Sequence, residues 1–490
     1  MAKKQTPKQN KKKGYNNKTN KKTTPQKSKS STNLFPLVCG VITVGILARL
    51  LFPLFNVGMW HDECAIAINV LDKDFWGLFN PMRFSQVAPP LFLCTAKIFT
   101  YLLSTHSSMH FSDFILRLVP LAAGIGSIFA FYHLLKNIFF NKFVVTIGLI
   151  LFALNPMLIN YSYELKPFST DVLICSLLLM YFVRYNPEGY WRQFIQILVI
   201  SSSMLFSFPA FFIISGGLIN ILVKDWRKFL YAVSAFILFL TFYFIYHLWG
   251  IMEFHGETMD KYWAAFFINW QNYFHLILNW IKTNFNLFIS PTITIWILIT
   301  GFIISCFRDK KIAIITSTSI ITLCIASYLH LYPFAPRMLL FFSPILIILV
   351  CEIFDLIPER APISKITPFL FILLCCYNVA TIGFEKFGIK TNNLALTLAN
   401  NAQKTQNSIA ISKDVNVEWL YYSRFFDFSY NRIFFQDSKS NNQEWFARIP
   451  NKNLYYFTTS NQNPPEKKFK PNSKILLYSS KPNYSLWEIK

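Results

Sequence analysis

Two adjacent carboxylates, Asp62 and Glu63, follow His61 directly after the first long apolar segment of the chain, residues 34–57. A charged side chain costs about 2.5 to 3.5 kcal/mol at the centre of a membrane helix, so acids at a membrane boundary indicate a functional site. Adjacent residues on a helix face different directions. We therefore expect Asp62 to be a general base toward a hydroxyl group, with Glu63 as its catalytic partner and His61 in support. Two solvated interfacial acids are the simpler alternative.

Basic side chains occur in two later polar runs, each at the end of an apolar segment. Lys166 follows Glu164 in the first run, and Arg337 ends the run of residues 332–337, whose two prolines favour a rigid non-helical turn. A guanidinium held there can bind phosphate oxygens with two hydrogen bonds. We expect Lys166, Arg337 and Tyr332 to bind a phosphate group. The alternatives are an ion pair between Glu164 and Lys166 and an arginine at the lipid headgroups.

A third polar group, formed by Glu253, His255 and Glu257, lies among aromatic residues. Histidine and carboxylate side chains can hold a divalent metal, although this spacing matches no strong metal motif. An interfacial helix with an aromatic belt accounts for the same residues equally well. A divalent metal is therefore the one cofactor that the sequence suggests, and it does so weakly.

Long apolar segments must position these groups. The chain of 490 residues is 53% hydrophobic and 14% charged, which is typical of a polytopic α-helical membrane protein. We predict about 11 transmembrane helices, and the short Lys/Arg-bearing connections fall on one side if the first helix starts in the cytoplasm. The segment from Pro89 to Leu103 is too short to cross and is expected on the outer face. The predicted spans are residues 34–57, 115–135, 143–162, 170–185, 193–208, 210–223, 229–250, 284–306, 312–331, 338–353 and 366–384.

The two ends of the chain differ from its centre. Residues 1–33 contain eleven Lys and no Asp or Glu within a chain of net charge +23, which predicts a disordered cytoplasmic tail attracted to anionic lipid rather than to nucleic acid. Residues 385–490 have a soluble composition and are expected to form a small extracytoplasmic α/β domain. Residues 34–384 form the predicted transmembrane catalytic domain. The expected strands are Ser408–Ser412, Arg432–Gln436, Asn453–Thr459, Lys474–Ser479 and Tyr484–Ile489, and the expected helix is Val415–Arg424.

Several of these features occur in a set order along the chain. They are the Asp62-Glu63 pair, Gln86 opening a Gln-Val-Ala-Pro-Pro-Leu run, Arg117 early in the second span, the run from Asn155 to Pro167 that contains Tyr163 and Glu164, and residues 332–337. In this order they resemble the GT-C glycosyltransferases, specifically bacterial protein O-mannosyltransferases and aminoarabinose transferases of the family 39 type. The resemblance covers about residues 34–384.

The resemblance implies transfer of a sugar from a polyprenyl-phosphate donor to a lipid, glycan or protein acceptor, with inversion. It also implies a multi-pass protein of the bacterial inner membrane whose active site and C-terminal domain are extracytoplasmic. Asp62 would contact the acceptor or act as base, Lys166 and Arg337 would neutralise the leaving phosphate, and membrane lipids would surround the enzyme. A multispanning glycan polymerase or ligase, a lipid-linked sugar transporter and a structural scaffold remain the alternatives.

Overall fold

The computed structural model describes residues 34–54, 58–103, 109–185, 189–284, 290–359, 361–388, 408–412, 415–425, 433–435, 454–459, 474–480 and 484–489. All of them belong to one compact unit. The tail over residues 1–33 lies outside this part of the chain, so its disorder and its location stay predictions.

The first half of the described chain is helical, and several predicted spans are interrupted. Asn155 starts a new helix by accepting hydrogen bonds at its side chain from Met157 and Leu158 N–H groups, so the span predicted over residues 143–162 consists of two helices. The helices here are α1 Phe35–Leu54, α2 His61–Asp72, α3 Pro90–Leu103, α4 Met109–Leu116, α5 Leu118–Ile138, α6 Lys142–Ala153, α7 Pro156–Asn160, α8 Phe168–Arg184 and α9 Tyr190–Ser201.

The second half continues with long apolar helices before it turns to strands. A 3-10 segment, Pro336–Phe342, leads directly into one of these helices. Ala335 before it is extended, as expected for a residue that precedes proline. The helices are α10 Ala210–Lys224, α11 Trp226–Tyr243, α12 Trp249–Trp263, α13 Tyr273–Asn284, α14 Pro291–Arg308, α15 Lys310–Tyr328, α16 Ser343–Phe354, α17 Pro362–Gly388 and α18 Asn416–Tyr422.

Membrane-spanning character varies among these helices. Within the described residues, five helical segments are long and apolar enough to cross a bilayer, and five further apolar helices are shorter. A segment of about twenty residues is needed to span the hydrocarbon core. The molecule is thus a helical membrane protein, while the number of crossings stays a prediction. The five long segments are Leu118–Ile138, Trp226–Glu253, Pro291–Arg308, Lys310–Tyr328 and Pro336–Phe354.

Packing between the helices brings the polar runs together. Helix α5 lies along α8, and α10 lies along α15. A Cβ added at Gly124 of α5 would lie 2.5 Å from Ser162 Cβ, so the glycine lets the polar run of residues 161–167 approach α5 closely. Lys166, in the same run, reaches the start of α2, where its Nζ lies 3.2 Å from Asp62 Oδ2.

The described C-terminal residues form a five-stranded mixed sheet with the order β2-β1-β3-β5-β4. β1 pairs in parallel with β2 and β3, whereas β5 is antiparallel to β3 and β4. Four of these strands lie within the runs predicted from alternating hydrophobicity, and β4 extends one residue beyond its predicted run. Helix α18 lies within the predicted helix. Whether residues 385–490 form a separate extracytoplasmic domain stays a prediction. The strands are β1 Ser408–Ile411, β2 Ile433–Phe435, β3 Leu454–Thr459, β4 Lys474–Ser480 and β5 Tyr484–Ile489.

Candidate active site

The two adjacent carboxylates at the start of α2 point to different surroundings. The Glu63 side chain is 1% exposed and forms an ion pair with Arg117, with Nη2 2.6 Å from Oε2 and Nε 2.8 Å from Oε1. It also accepts a hydrogen bond from the Leu165 N–H at 2.6 Å. Glu63 therefore joins α2, the start of α5 and the run of residues 161–167. These contacts are those of a positioning residue.

Asp62 faces two cations instead. Its Oδ2 atom lies 3.2 Å from Lys166 Nζ and 3.7 Å from Arg337 Nη1. Gln86 bridges the group, because its Nε2 lies 3.5 Å from Asp62 Oδ1 and its Oε1 accepts from Lys166 Nζ at 2.9 Å. The side chains of Asp62, Lys166 and Arg337 are 16%, 9% and 23% exposed, so the group is largely buried but still reaches solvent. We call these four residues the Asp62 cluster.

Gln86 directly follows a strained turn that places its side chain in the Asp62 cluster. Phe84 and Ser85 have φ values of 62° and 51°, a left-handed conformation that costs of order 1 to 3 kcal/mol outside glycine. Buried Asn69 of α2 holds this turn through both backbone groups of Arg83, donating to its carbonyl at 3.2 Å and accepting from its N–H at 2.9 Å. Strain maintained by buried contacts is typical of functional sites.

Arg337 is positioned by its two prolines and by a relay of asparagine side chains. Asn155 Nδ2 donates to the Asn284 carbonyl at 3.1 Å, and Asn284 Nδ2 donates to the Pro336 carbonyl at 3.2 Å. The Asn155-Pro156 pair singled out in the sequence therefore supports the Arg337 turn from a distance. Its role is one of placement, since no described contact joins Asn155 to the Asp62 cluster.

Two indole rings flank the cations. The Trp60 ring centroid lies 5.7 Å from both Lys166 Nζ and Arg337 Cζ, and the Trp263 centroid lies 5.0 Å from Arg337 Cζ. An aromatic face attracts a cation at these distances and limits its rotation. The Arg337 guanidinium is therefore held between two rings and a carboxylate, while part of it stays open to solvent.

Burial lowers the pKa of Lys166 from its usual value, and the neighbouring Asp62 carboxylate opposes that change. A cation with one carboxylate partner and little water gains strongly from a further anion. Lys166 and Arg337 both approach the same Asp62 oxygen, so an incoming phosphate could take both cations away from it. The Asp62 cluster thus has the chemistry of a phosphate site next to a proton acceptor.

The remaining predicted residues lie outside the Asp62 cluster. The Tyr163 ring packs beside Arg117 at 5.8 Å, and Glu164 accepts from Asn160 Nδ2 at 3.2 Å. Tyr332 was expected to bind phosphate, but its hydroxyl donates to the Met338 carbonyl at 2.9 Å and its ring packs against the helical core. No described contact joins the Tyr332 side chain to the Asp62 cluster, whereas Arg337 lies 3.7 Å from Asp62.

The residues predicted as a weak metal site, Glu253, His255 and Glu257, do not form a cluster like that around Asp62 in the described part of the structure. Glu253 and Glu257 are exposed on α12, where Glu257 lies 3.7 Å from Lys261, and the side chain of His255 is outside the described part of the structure. Among the described side chains, no three His, Cys, Asp or Glu groups meet at metal-binding distance. A metal at these residues stays a prediction.

Sequence reasoning missed the residues that α18 brings to α2. Glu418 Oε2 lies 3.1 Å from His61 Nδ1, and the Tyr422 hydroxyl accepts from the Met59 N–H at 2.6 Å. The Asp113 carboxylate accepts from the Tyr421 hydroxyl at 2.6 Å. The one signal available was Asp113, an acid one helical turn before Arg117. Its tyrosine partners are distant in sequence and could not be inferred.

The long apolar helices are those of a helical membrane protein, and comparison with solved structures identifies its fold. ArnT from Cupriavidus metallidurans bound to undecaprenyl phosphate has 10% sequence identity and a TM-score of 0.54, covering 93% of this chain and 98% of ArnT. ArnT in the apo state gives a TM-score of 0.55 with the same identity and coverage. The chain therefore shares the fold of ArnT, as the resemblance found in the sequence predicted. No family model and no curated protein matches it.

Proposed function

We propose that this chain is an integral-membrane glycosyltransferase that moves a sugar from a polyprenyl-phosphate donor to a lipid, glycan or protein acceptor. The observation that carries the proposal is the Asp62 carboxylate, which has Lys166 3.2 Å and Arg337 3.7 Å from one oxygen. The ArnT-like fold supports it, since one of the similar structures has undecaprenyl phosphate bound.

The proposed reaction inverts the sugar's anomeric centre. The acceptor hydroxyl oxygen attacks the anomeric carbon from the face opposite the phosphate, and the bond from that carbon to the phosphate oxygen breaks. The phosphate leaves with the bonding electron pair, and Lys166 and Arg337 bind its oxygens. Asp62 takes the hydroxyl proton as the new glycosidic bond forms.

The donor would also prepare the base. Without a phosphate, Lys166 and Arg337 both bind Asp62 and compete for the lone pairs that a proton needs. The donor phosphodiester carries one negative charge, and the leaving phosphate gains a second as its bond to the sugar breaks. The cations are then drawn from Asp62 toward the leaving phosphate, and Asp62 accepts the hydroxyl proton. The proposal therefore favours donor binding before the acceptor is activated.

We further propose that the Asp62 cluster and the C-terminal sheet lie outside the bacterial inner membrane and that the N-terminus lies in the cytoplasm. The support is the distribution of Lys and Arg in the short connections. An epitope tag after Lys490 should be cleaved by protease added to intact spheroplasts. Protection of that tag until the cells are lysed would contradict the orientation.

The test of function is turnover by purified enzyme with a panel of radiolabelled polyprenyl-phosphate sugars and membrane extract as acceptor source. We expect release of polyprenyl phosphate from one donor, and Asp62→Asn should lower that rate by at least about 100-fold. Asp74→Asn is the matched control, because Asp74 is an exposed acid just after α2 and asparagine can still accept the hydrogen bond from the Gly77 N–H. A parallel reaction with chelator measures metal dependence.

Each outcome has a distinct meaning. Release that depends on Asp62, with label appearing on a new acceptor, supports the transferase. A lipid-linked sugar transporter would move the donor without releasing phosphate, and a polymerase would add the label to a growing lipid-linked glycan. Equal rates for wild type and Asp62→Asn would refute the proposed base.

A further inference from the structure

Helix α18 contacts both residues that flank Trp60. The Tyr422 hydroxyl accepts from the Met59 N–H at 2.6 Å, and Glu418 Oε2 lies 3.1 Å from His61 Nδ1. Trp60 carries the ring that faces both cations of the Asp62 cluster, and His61 directly precedes Asp62. The contacts of α18 therefore hold the backbone from which Trp60 and Asp62 project.

This junction is buried and its hydroxyl groups are paired. Tyr421 and Tyr422 are 0% and 2% exposed, and Asp113 is 3% exposed. Tyr421 donates to Asp113 Oδ1 at 2.6 Å, while Tyr422 donates to Oδ2 at 3.3 Å and accepts from Met59. Paired polar groups in a buried junction specify one geometry, because any shift leaves one of them without its partner.

Glu418 differs from the two tyrosines because it contacts a residue that can change its charge. The Glu418 side chain is 5% exposed, whereas His61 is 41% exposed and can exchange protons with water. The other charged groups that act on His61 are Asp62, on the same helix, and Lys166, from residues 161–167. Glu418 is the residue that forms the direct 3.1 Å contact.

We propose that Glu418 is a positioning residue for the candidate active site, and that α18 thereby completes this site. This inference rests on the proposed function. Glu418 holds His61, His61 fixes the first turn of α2, and Asp62 is the next residue in that turn.

A pH dependence follows from the contact. The hydrogen bond that protonated His61 donates to Glu418 raises the pKa of His61 above its usual value, and burial opposes that shift. The contribution of the pair is therefore fully present below about pH 6.5, the usual pKa of histidine, and is lost as pH rises through the higher value in the folded protein. The start of α2 should loosen over that range.

The test uses the full-length protein with Glu418→Gln, which keeps the shape of the side chain and removes its charge. Two quantities are measured across pH 5.5 to 9: transfer kinetics, and amide hydrogen exchange of residues 58–72, each compared with wild type at the same pH. We expect the decline of kcat in wild type to move to lower pH in Glu418→Gln. Exchange over residues 58–66 should be faster in the variant at pH 6.

Two further variants separate positioning from general stability. His61→Gln should abolish the pH-dependent difference in exchange, and the partly exposed position makes the change easy to accommodate. Arg424→Gln removes the pair with Asp72 at the far end of α2, where the nitrogens lie 2.5 and 3.0 Å from the carboxylate. That control should loosen the attachment of α18 without moving the pH midpoint.

Unchanged exchange and an unchanged pH midpoint in Glu418→Gln would overturn the inference. A uniform loss of activity at every pH, matched by Arg424→Gln, would also overturn it, because it would indicate a merely structural contact. If wild type transfers no sugar, the proposed function fails, yet the exchange comparison still tests the link between Glu418 and the start of α2.

Discussion

Arg117 and Glu63 form a buried ion pair in which Nη2 and Oε2 lie 2.6 Å apart and the side chains are 7% and 1% exposed. Leu165 adds a backbone hydrogen bond to the same carboxylate at 2.6 Å. The pair joins the start of α2 to α5 and to the run that carries Lys166. The pair therefore holds in place the two segments that carry Asp62 and Lys166.

Loss of the Glu63 carboxylate should therefore unfold the site rather than alter its chemistry. Removing one partner of a buried pair costs about 3 to 5 kcal/mol, so Glu63→Gln should be less stable by that amount. Thermal unfolding in detergent measures the loss, with Asp74→Asn as the control variant of an exposed acid. A stable Glu63→Gln enzyme that fails to transfer sugar would instead assign Glu63 to the reaction itself.

Transfer should weaken at alkaline pH because of Lys166. Burial lowers the pKa of Lys166, so its amine loses its positive charge below the range usual for lysine. The value of kcat/KM for the donor should fall as pH rises through that lowered pKa, since this parameter reports the free enzyme. In Lys166→Arg the decline should move to higher pH. An unchanged profile would exclude Lys166 as the group that titrates.

Replacing Arg337 by lysine should weaken binding of the donor phosphate. Lysine keeps the charge but lacks the planar fork that binds phosphate with two hydrogen bonds. A hydrogen bond to a charged group contributes about 1.5 to 3 kcal/mol, so Arg337→Lys should lower kcat/KM for the donor by roughly tenfold to a hundredfold. Tyr332→Phe is the matched control from the same turn. Equal kinetics for both variants would contradict the phosphate role.

Trp263 should increase the affinity for the donor by holding Arg337 in place. Its ring lies 5.0 Å from the guanidinium carbon, and such a contact contributes about 0.5 to 2 kcal/mol. Trp263→Ala should therefore raise the KM for the donor by roughly two- to thirtyfold, while Trp263→Phe retains most of the affinity. Trp270, which is 88% exposed, supplies the control Trp270→Ala. A similar effect at both positions would indicate a membrane contact instead.

Gln86 contacts Lys166 through a neutral amide and so adds no negative charge that would compete with the donor phosphate. It donates toward Asp62 and accepts from Lys166, and the strained turn at Phe84 and Ser85 fixes it there. Gln86→Glu places a second carboxylate on Lys166, which should compete with the donor phosphate and raise its KM. Gln86→Ala should have the smaller effect on KM. A larger increase in KM for Gln86→Ala than for Gln86→Glu would show that the Gln86 amide acts by holding the turn and not by keeping negative charge away from Lys166.

Much of the architecture follows from local patterns. Apolar segments indicated the helices, alternating residues indicated the five strands, and Asp62-Glu63 after the first span indicated the start of the site. The break between α6 and α7 at Asn155-Pro156 was harder to predict, because the apolar residues continue on both sides of it. The order of the motifs indicated the GT-C fold even at the 10% identity to ArnT.

The sequence by itself determined which residue types meet the membrane boundary and where helices and strands form, because periodicity and polarity are properties of neighbouring residues. Only the tertiary structure decided that Asp62 faces Lys166 and Arg337 while Glu63 is taken up by Arg117. It also turned Tyr332 into the core and brought Glu418 to His61. Such choices depend on the packing of distant segments, which no local pattern encodes.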